Sequence, residues 1–264
     1  MSKRPAVLLT LLEENPALAS TLGEELSRLG ADCRAHFWTH GQDVQALAPL
    51  LAEVCQPDHG AWLIAGEART FARPDMLRGL ALAALAARAT RQQTGGTALP
   101  ILLAPSGGDL PSLPTPLQDA DIVVRGIGAK TIARLFTPGT AGTPPYRLAL
   151  HARPGLGLWL ECGPSDEPWE GVLLGASGCA PDAHGVGPAG VIPQRCTLHH
   201  PLRGVRLTAG GREFTAWGTG NHLSPSESYF VRLDSLPDAL AFGPLPGEDA
   251  AELFVLSLRP QQEA

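Results

Sequence analysis

The two halves of this 264-residue chain follow different hydrophobic patterns, and this division constrains the fold more than any other feature of the sequence. In residues 1–137, short apolar runs alternate with Ala- and Leu-rich amphipathic stretches, a pattern typical of alternating strands and helices. Residues 146–264 combine short strand-like runs with Gly and Pro turns. We therefore expect an α/β domain at 1–137 and a mostly β domain at 146–264. A linker rich in Pro, Gly and Thr is predicted at 138–145.

Five apolar runs in the first half are predicted to form a parallel sheet, because strands buried on both faces are continuously hydrophobic. The predicted strands are 6–12, 33–38, 61–65, 99–104 and 121–125. Helices are predicted at 16–29, 44–54, 74–93 and 128–136. Asn15 and Pro16 form a helix-start signal, and Gly30 a stop signal. With right-handed crossovers, these elements give a five-stranded, doubly wound, flavodoxin-like sheet.

Ligands of such sheets bind beyond the carboxyl ends of the strands. The polar and glycine residues predicted at that edge are Glu13, Glu14, Thr39, His40, Gly66, Glu67, Ser106, Asp109 and Arg125. A phosphate loop is not predicted at 126–131, because that segment lacks the first Gly of the motif.

Residues 1–137 resemble two families. The opening strand, the helix that ends at Leu29-Gly30 and the segment 99–111 resemble the TIR-like group, whereas the strand order and the segment 120–125 resemble the receiver domain of response regulators. A receiver carries a phospho-accepting Asp after the third strand, where this chain has Gly66-Glu67. A TIR hydrolase carries a Ser-x-Trp-Cys-x-x-Glu-like segment, where this chain has Arg73-Pro-Asp-Met-Leu-Arg78. The resemblance thus implies a degenerate signalling domain, a pseudo-receiver or pseudo-enzyme.

The second half is predicted to form a small β-barrel or sandwich, because its short strands are separated by turn signals. Strands are predicted at 146–151, 157–162, 171–176, 205–208, 213–217, 229–233 and 252–258. Gly210-Gly211 predicts a two-residue hairpin turn, and 177–193 is predicted to be a Gly- and Pro-rich loop.

Residues 195–240 resemble the PilZ domain, a barrel that binds cyclic di-GMP. Arg195 matches the first Arg of the family's Arg-x-x-x-Arg motif, and Ser224 matches the Ser of its Asp/Asn-x-Ser-x-x-Gly turn. His199 stands in place of the second Arg and Glu227 in place of the Gly. The resemblance implies a degenerate PilZ-like domain with a cyclic dinucleotide as a possible ligand.

The formal net charge of −6 argues against nucleic-acid binding, which normally requires a basic surface. Apolar stretches are too short to span a membrane, and the run at 6–12 lacks a following cleavage signal. We therefore expect a cytoplasmic protein without membrane insertion. Five cysteines, an odd number, favour reduced thiols over a disulfide framework.

Two functional hypotheses follow from the sequence. The first is a non-catalytic bacterial signalling or adaptor protein without a cofactor, in which the β domain binds a small anionic ligand or a protein partner and the α/β domain docks or transmits. Its predicted ligand-binding residues are Arg195, His199, His200, Arg203 and Ser224. The alternative is a metal-dependent hydrolase, with zinc as a possible cofactor held by Cys196, His199 and His184, because Cys and His are the ligands that zinc favours.

Overall fold

The computed structural model describes most of the chain, and its contacts divide it into two compact units. The described residues are 4, 6–38, 44–123, 127–128, 133, 144–153, 155–246 and 253–260, with the side chains of 45 and 153 excepted. One unit contains a parallel sheet with helices, and the other contains two antiparallel sheets. This architecture confirms the predicted combination of an α/β fold with an all-β fold.

The strands of the α/β unit form one parallel sheet, here sheet A. The described elements of the first half of the chain, in order, are β1 (Ala6–Leu11), α1 (Pro16–Arg28), β2 (Asp32–Phe37), α2 (Val44–Val54), β3 (His59–Glu67), α3 (Ala68–Phe71), α4 (Pro74–Gln93), β4 (Ile101–Ser106), a 3₁₀ turn (Thr115–Leu117) and β5 (Asp121–Ile122). The strand order is β2-β1-β3-β4-β5, which is the flavodoxin-like order. Most of the predicted helix at 128–136 lies outside the described residues.

Local signals explain where α1 begins and ends. The Asn15 side chain accepts a hydrogen bond from the Leu18 N–H at 3.0 Å, and Pro16 occupies the first turn, where its missing N–H costs nothing. Gly30, at φ 86°, adopts the left-handed conformation that stops a helix. Leu22 and Leu26 then pack on sheet A in one apolar cluster with alternate residues of β1.

The opposite face of β1 carries a polar chain of three side chains, of which Thr10 and Trp62 are buried and His36 is half-buried. Trp62 donates its indole N–H to Thr10 Oγ1 at 2.7 Å, and the same hydroxyl lies 2.7 Å from His36 Nε2. Because Thr10 accepts from Trp62, its single proton is available to His36, which then accepts as a neutral imidazole. Burial lowers the pKa of His36, which favours that neutral form.

The β unit is a sandwich of two antiparallel sheets. Its strands are β6 (Tyr146–Arg153), β7 (Gly157–Pro164), β8 (Trp169–Ser177), β9 (Pro181–Pro188), β10 (Leu202–Ala209), β11 (Arg212–Leu223), β12 (Glu227–Leu233), β13 (Ala239–Pro244) and β14 (Phe254–Ser257). Sheet B has the order β6-β7-β12-β9, and sheet C has the order β10-β11-β8-β13-β14. Tyr146 of sheet B meets Phe242 of sheet C with 4.9 Å between ring centroids, so aromatic side chains fill the space between the sheets. Gly210 and Gly211, at φ 55° and 74°, form the predicted hairpin turn between β10 and β11.

The prediction of a loop at 177–193 was wrong, because β9 lies within it. Gly185 and Gly187 do not interrupt this strand; they make room for the chain that crosses it. A Cβ added at Gly185 would lie 2.9 Å from Pro193 Cγ, and one at Gly187 would lie 3.1 Å from Pro193 Cβ. The prolines at its two ends, Pro181 and Pro188, are tolerated because β9 is an edge strand.

The strand β13 was also missed. All of its residues but the last are buried, and it pairs with β8 on one side and β14 on the other. No helix in the described part of the chain is both long and apolar enough to cross a membrane.

Replacing Asn15 by Ala should lower the free energy of unfolding by about 0.5–2 kcal/mol, because the Leu18 N–H loses its side-chain acceptor. Urea denaturation would measure the change. Asn15→Asp is the matched control, since it retains an acceptor and should stay close to the wild type. Equal midpoints for Asn15→Ala and the wild type would show that the cap does not stabilise the fold.

Candidate ligand-binding site in the β unit

Four side chains from four strands meet between the sheets of the β unit. His184 of β9 lies with its Nδ1 2.8 Å from the Tyr229 hydroxyl, and its Nε2 accepts a hydrogen bond from Arg203 Nε at 3.2 Å. Trp217 of β11 meets the His184 ring edge-on, with 4.8 Å between centroids. The Arg203 guanidinium lies over the indole of Trp217, 5.1 Å from the ring centroid. Two edge strands, β9 and β10, thus contribute one polar group each to a shared aromatic surface.

Arg203 reaches this cluster because β10 contains a β-bulge. Leu202 pairs with Gly218 and Val205 with Ala216, so Arg203 and Gly204 together oppose the single residue Trp217. Gly204 has φ 66°, a conformation that favours glycine.

The same bulge brings a second arginine to the same face. Residues three apart on a regular strand point to opposite faces. The extra residue at Gly204 cancels that alternation, so that Arg206, which pairs with Thr215, projects to the same face of sheet C as Arg203. Both arginines are exposed. We name Arg203 and Arg206 the basic edge.

The hydrogen bonds define the protonation state of His184. Arg203 Nε always carries a proton, so Nε2 of His184 must be the acceptor. The neutral ring then carries its proton on Nδ1 and donates it to the Tyr229 hydroxyl. Desolvation, with a further contribution from the Arg203 charge, lowers the pKa of His184 and stabilises this form. Desolvation raises the pKa of Tyr229, which is fully buried and remains a phenol.

Arg203 therefore has one side used for positioning and another available for a ligand. Its Nε and its flat face are engaged by His184 and Trp217, whereas no hydrogen bond or ion pair from the described residues holds its two Nη nitrogens. Those nitrogens form the fork that binds carboxylate or phosphate in a bidentate manner.

Three of the predicted ligand residues lie on the connection from β9 to β10. Arg195, His199 and His200 are exposed. The backbone of His199 is fixed, since its N–H donates to Asn221 Oδ1 at 2.8 Å and its carbonyl accepts from Thr219 Oγ1 at 2.8 Å. These bonds hold the connection against β11 just before the basic edge.

Ser224, the fifth predicted ligand residue, has its hydroxyl engaged in the turn between β11 and β12. The hydroxyl donates to Glu227 Oε2 at 2.8 Å and lies 3.0 Å from Ser226 Oγ. The Glu227 carboxylate also accepts the Ser224 N–H at 3.1 Å. These hydrogen bonds lower the pKa of Glu227 and close the turn.

The predicted zinc ligands occupy different settings. Cys196 is exposed, and its Sγ lies close to Gly185. A Cβ added at Gly185 would be 3.1 Å from that sulfur. Both ring nitrogens of His184 are engaged in the cluster described above. Within the described residues, no group of three or more His, Cys, Asp or Glu side chains is arranged to hold a metal ion. The zinc site at Cys196, His199 and His184 stays a prediction.

A buried carboxylate anchors the connection that carries these residues. Glu161 is 1% exposed; its Oε1 accepts the Gly190 N–H at 2.8 Å, and its Oε2 lies 2.7 Å from His151 Nε2. Burial alone would raise the pKa of Glu161, but hydrogen bonds from His151, Ser228 and Gly190 outweigh it and lower the pKa. The carboxylate thus stays charged and binds the start of the connection to sheet B.

Arg147 ties the start of β6 to neighbouring turns. Its guanidinium donates to the carbonyls of Pro164 and Pro225, to the Glu227 carbonyl at 2.7 Å and to Ser228 Oγ at 3.1 Å. These bonds occupy both Nη nitrogens with acceptors of the fold itself, so this arginine supports the fold.

Some of the residues predicted at the carboxyl ends of the sheet A strands contact one another. Glu13 Oε1 accepts the Glu67 N–H at 3.4 Å, and Ser106 donates to the Gly66 carbonyl at 3.4 Å. Thr39, His40 and Arg125 lie outside the described residues. The Glu67 carboxylate forms an ion pair with Arg69 of α3.

Sequence reasoning missed Arg206 and the role of Trp217 as the support of Arg203. A compositional signal was present, because residues 183–212 contain four Arg and three His but no Asp or Glu. No protein-family model matches the chain, and no curated protein matches it either.

The pKa of His184 should be measurably lower than the ordinary value of about 6.5, because burial and Arg203 both oppose its protonation. NMR titration of the imidazole, assigned with a His184→Gln variant, would measure it. Arg203→Ala should raise the pKa towards the ordinary value, since it removes the positive charge.

The lowered pKa also fixes the sign of the pH effect on stability. The unfolded chain protonates His184 near pH 6.5 while the folded chain does not, so the free energy of unfolding falls as the pH drops from there through the folded pKa. A His184 pKa above 6.5 in the folded protein would contradict the assigned tautomer and its hydrogen bond to Arg203.

Proposed function

We propose that this protein is a non-catalytic signalling or adaptor protein whose β unit binds an anionic group at the basic edge. The α/β unit would dock or transmit. The observation that carries the proposal is Arg203, held by His184 and Trp217 with its Nη nitrogens uncommitted among the described residues. An arginine already fixed in place loses little side-chain entropy when an anion binds.

The chemistry of the site favours a phosphate or carboxylate ligand. A guanidinium fork matches the two oxygens of either group, and Arg206 adds a second positive charge on the same face. The PilZ resemblance adds cyclic di-GMP to the candidate ligands. Arg195, His199 and His200 are exposed nearby in sequence and would strengthen the positive potential towards any anion.

The absence of catalysis is proposed from the sequence. The position of the receiver's acceptor Asp is occupied by Gly66-Glu67, and the TIR-type glutamate has no counterpart in 73–78. Phosphoryl transfer and NAD hydrolysis both require those side chains in the families that the chain resembles.

Calorimetry with inorganic pyrophosphate, citrate and cyclic di-GMP would test the anion site. At least one of these anions should bind the wild-type protein, and Arg203→Ala should weaken that binding by about 1.5–3 kcal/mol, the range for hydrogen bonds to charged groups. Arg212→Ala is the matched control, because Arg212 stands on the adjoining strand with its side chain towards the other face. Equal affinities in the wild type and Arg203→Ala would remove the basic edge from the proposal.

The hydrolase alternative has its own test in the metal content of the purified protein. Stoichiometric zinc that is lost in a Cys196→Ser variant would favour the hydrolase. Zinc-free protein that still binds anions through Arg203 would favour the adaptor.

A further inference from the structure

We propose that the open edge of β10 is the docking site for an extended, acidic protein segment, which adds to sheet C as a further strand and places carboxylates on Arg203 and Arg206. This inference rests on the proposed function, since it names the partner class of the same anion site. Three features of β10 carry it: an unpaired backbone, the spacing of its arginines and the charge of its surroundings.

The backbone of β10 is available for pairing on one side. β10 is the end strand of sheet C, and it pairs with β11 alone among the described strands. Arg203, Gly204, Arg206 and Thr208 are exposed. An edge strand of this kind presents a row of N–H and C=O groups that another extended backbone can match.

The arginine spacing matches an added strand. Arg203 stands opposite Trp217 and Arg206 opposite Thr215, so the two lie two strand positions apart, about 6.6 Å at 3.3 Å per residue. Acidic residues at alternate positions of an extended peptide project to one face with the same repeat. A Glu-x-Glu segment in register would therefore place one carboxylate opposite each guanidinium.

The charge pattern selects an acidic partner and excludes a second copy of β10. Both charged residues of β10 are arginines, although the whole chain has a net charge of −6, and the acidic Glu213 of β11 lies beyond them, opposite Thr208. Two β10 strands side by side would set arginine against arginine, which is destabilising across a strand pair. In an acidic strand at the same position, carboxylates would face the arginines and attract them. The edge of β10 therefore discriminates between partners by charge.

Fluorescence anisotropy with the full chain would test the inference, using the labelled peptide Gly-Glu-Val-Glu-Val-Glu-Gly. The wild type should bind it, Arg206→Ala should weaken binding by about tenfold or more, and Arg212→Ala should leave it unchanged. A peptide with Lys in place of Glu should not bind.

Peptides with methylated backbone nitrogens would distinguish strand addition from binding by charge attraction alone. Two further peptides carry N-methyl groups at alternate residues, one in each phase. In an added strand the N–H groups of alternate residues face β10, so one phase should abolish binding and the other should largely retain it. Equal affinities for the two phases would overturn strand addition.

The remaining outcomes distinguish this inference from the proposed function. Pyrophosphate binding through Arg203 without peptide binding would overturn peptide docking and leave the anion site intact. No binding of the peptide and of any of the three anions, pyrophosphate, citrate and cyclic di-GMP, would overturn both. Displacement of the peptide by an oligo-dT of equal charge at lower concentration would overturn the inference in favour of a nucleic-acid strand.

Discussion

The buried carboxylate of Glu161 is the interaction on which the arrangement of the β unit depends. By accepting the Gly190 N–H, it fixes the chain as it leaves β9 and begins to cross from sheet B to sheet C. Pro193 then packs on Gly185 and Gly187, and the His199 backbone is bound to Asn221 on β11. β10 starts three residues later, so the position of the basic edge follows from this series of contacts.

Charge and burial divide the arginines of the β unit into two kinds. Both Nη nitrogens of Arg147 are used on carbonyl and hydroxyl groups of its own fold. Arg203 is supported on one side by His184 and Trp217 and remains free on the other among the described residues. A protein that only needed a soluble edge would gain as much from a mobile lysine. The aromatic support of Arg203 is what favours recognition over simple solubility.

The elements that the sequence predicted correctly have local causes. The strand order of sheet A follows from buried apolar runs alternating with helices, α1 from Asn15 and Pro16, and the hairpin from Gly210-Gly211. β9 was not predicted because its glycines resemble a loop in the local sequence. Their cause is the close approach of Pro193, a residue of a later segment, which a local sequence pattern does not show. The candidate site was predicted only in part for the same reason. Arg203 could be named from its charge, but its meeting with Trp217 and His184 depends on two different sheets.

The bulge at Gly204 also shifts the alternation of apolar and polar residues along β10, which affects any sequence alignment of this strand. Leu202 and Val205 line one face, and beyond the bulge the same face continues through Leu207 and Ala209. The apolar residues of this strand therefore fall at an even position before Gly204 and at odd positions after it. A search that assumes one alternation through 202–209 would score a well-formed strand as irregular. Relatives that keep this edge would be recognised by a phase change at a glycine more readily than by the identity of the residues around it.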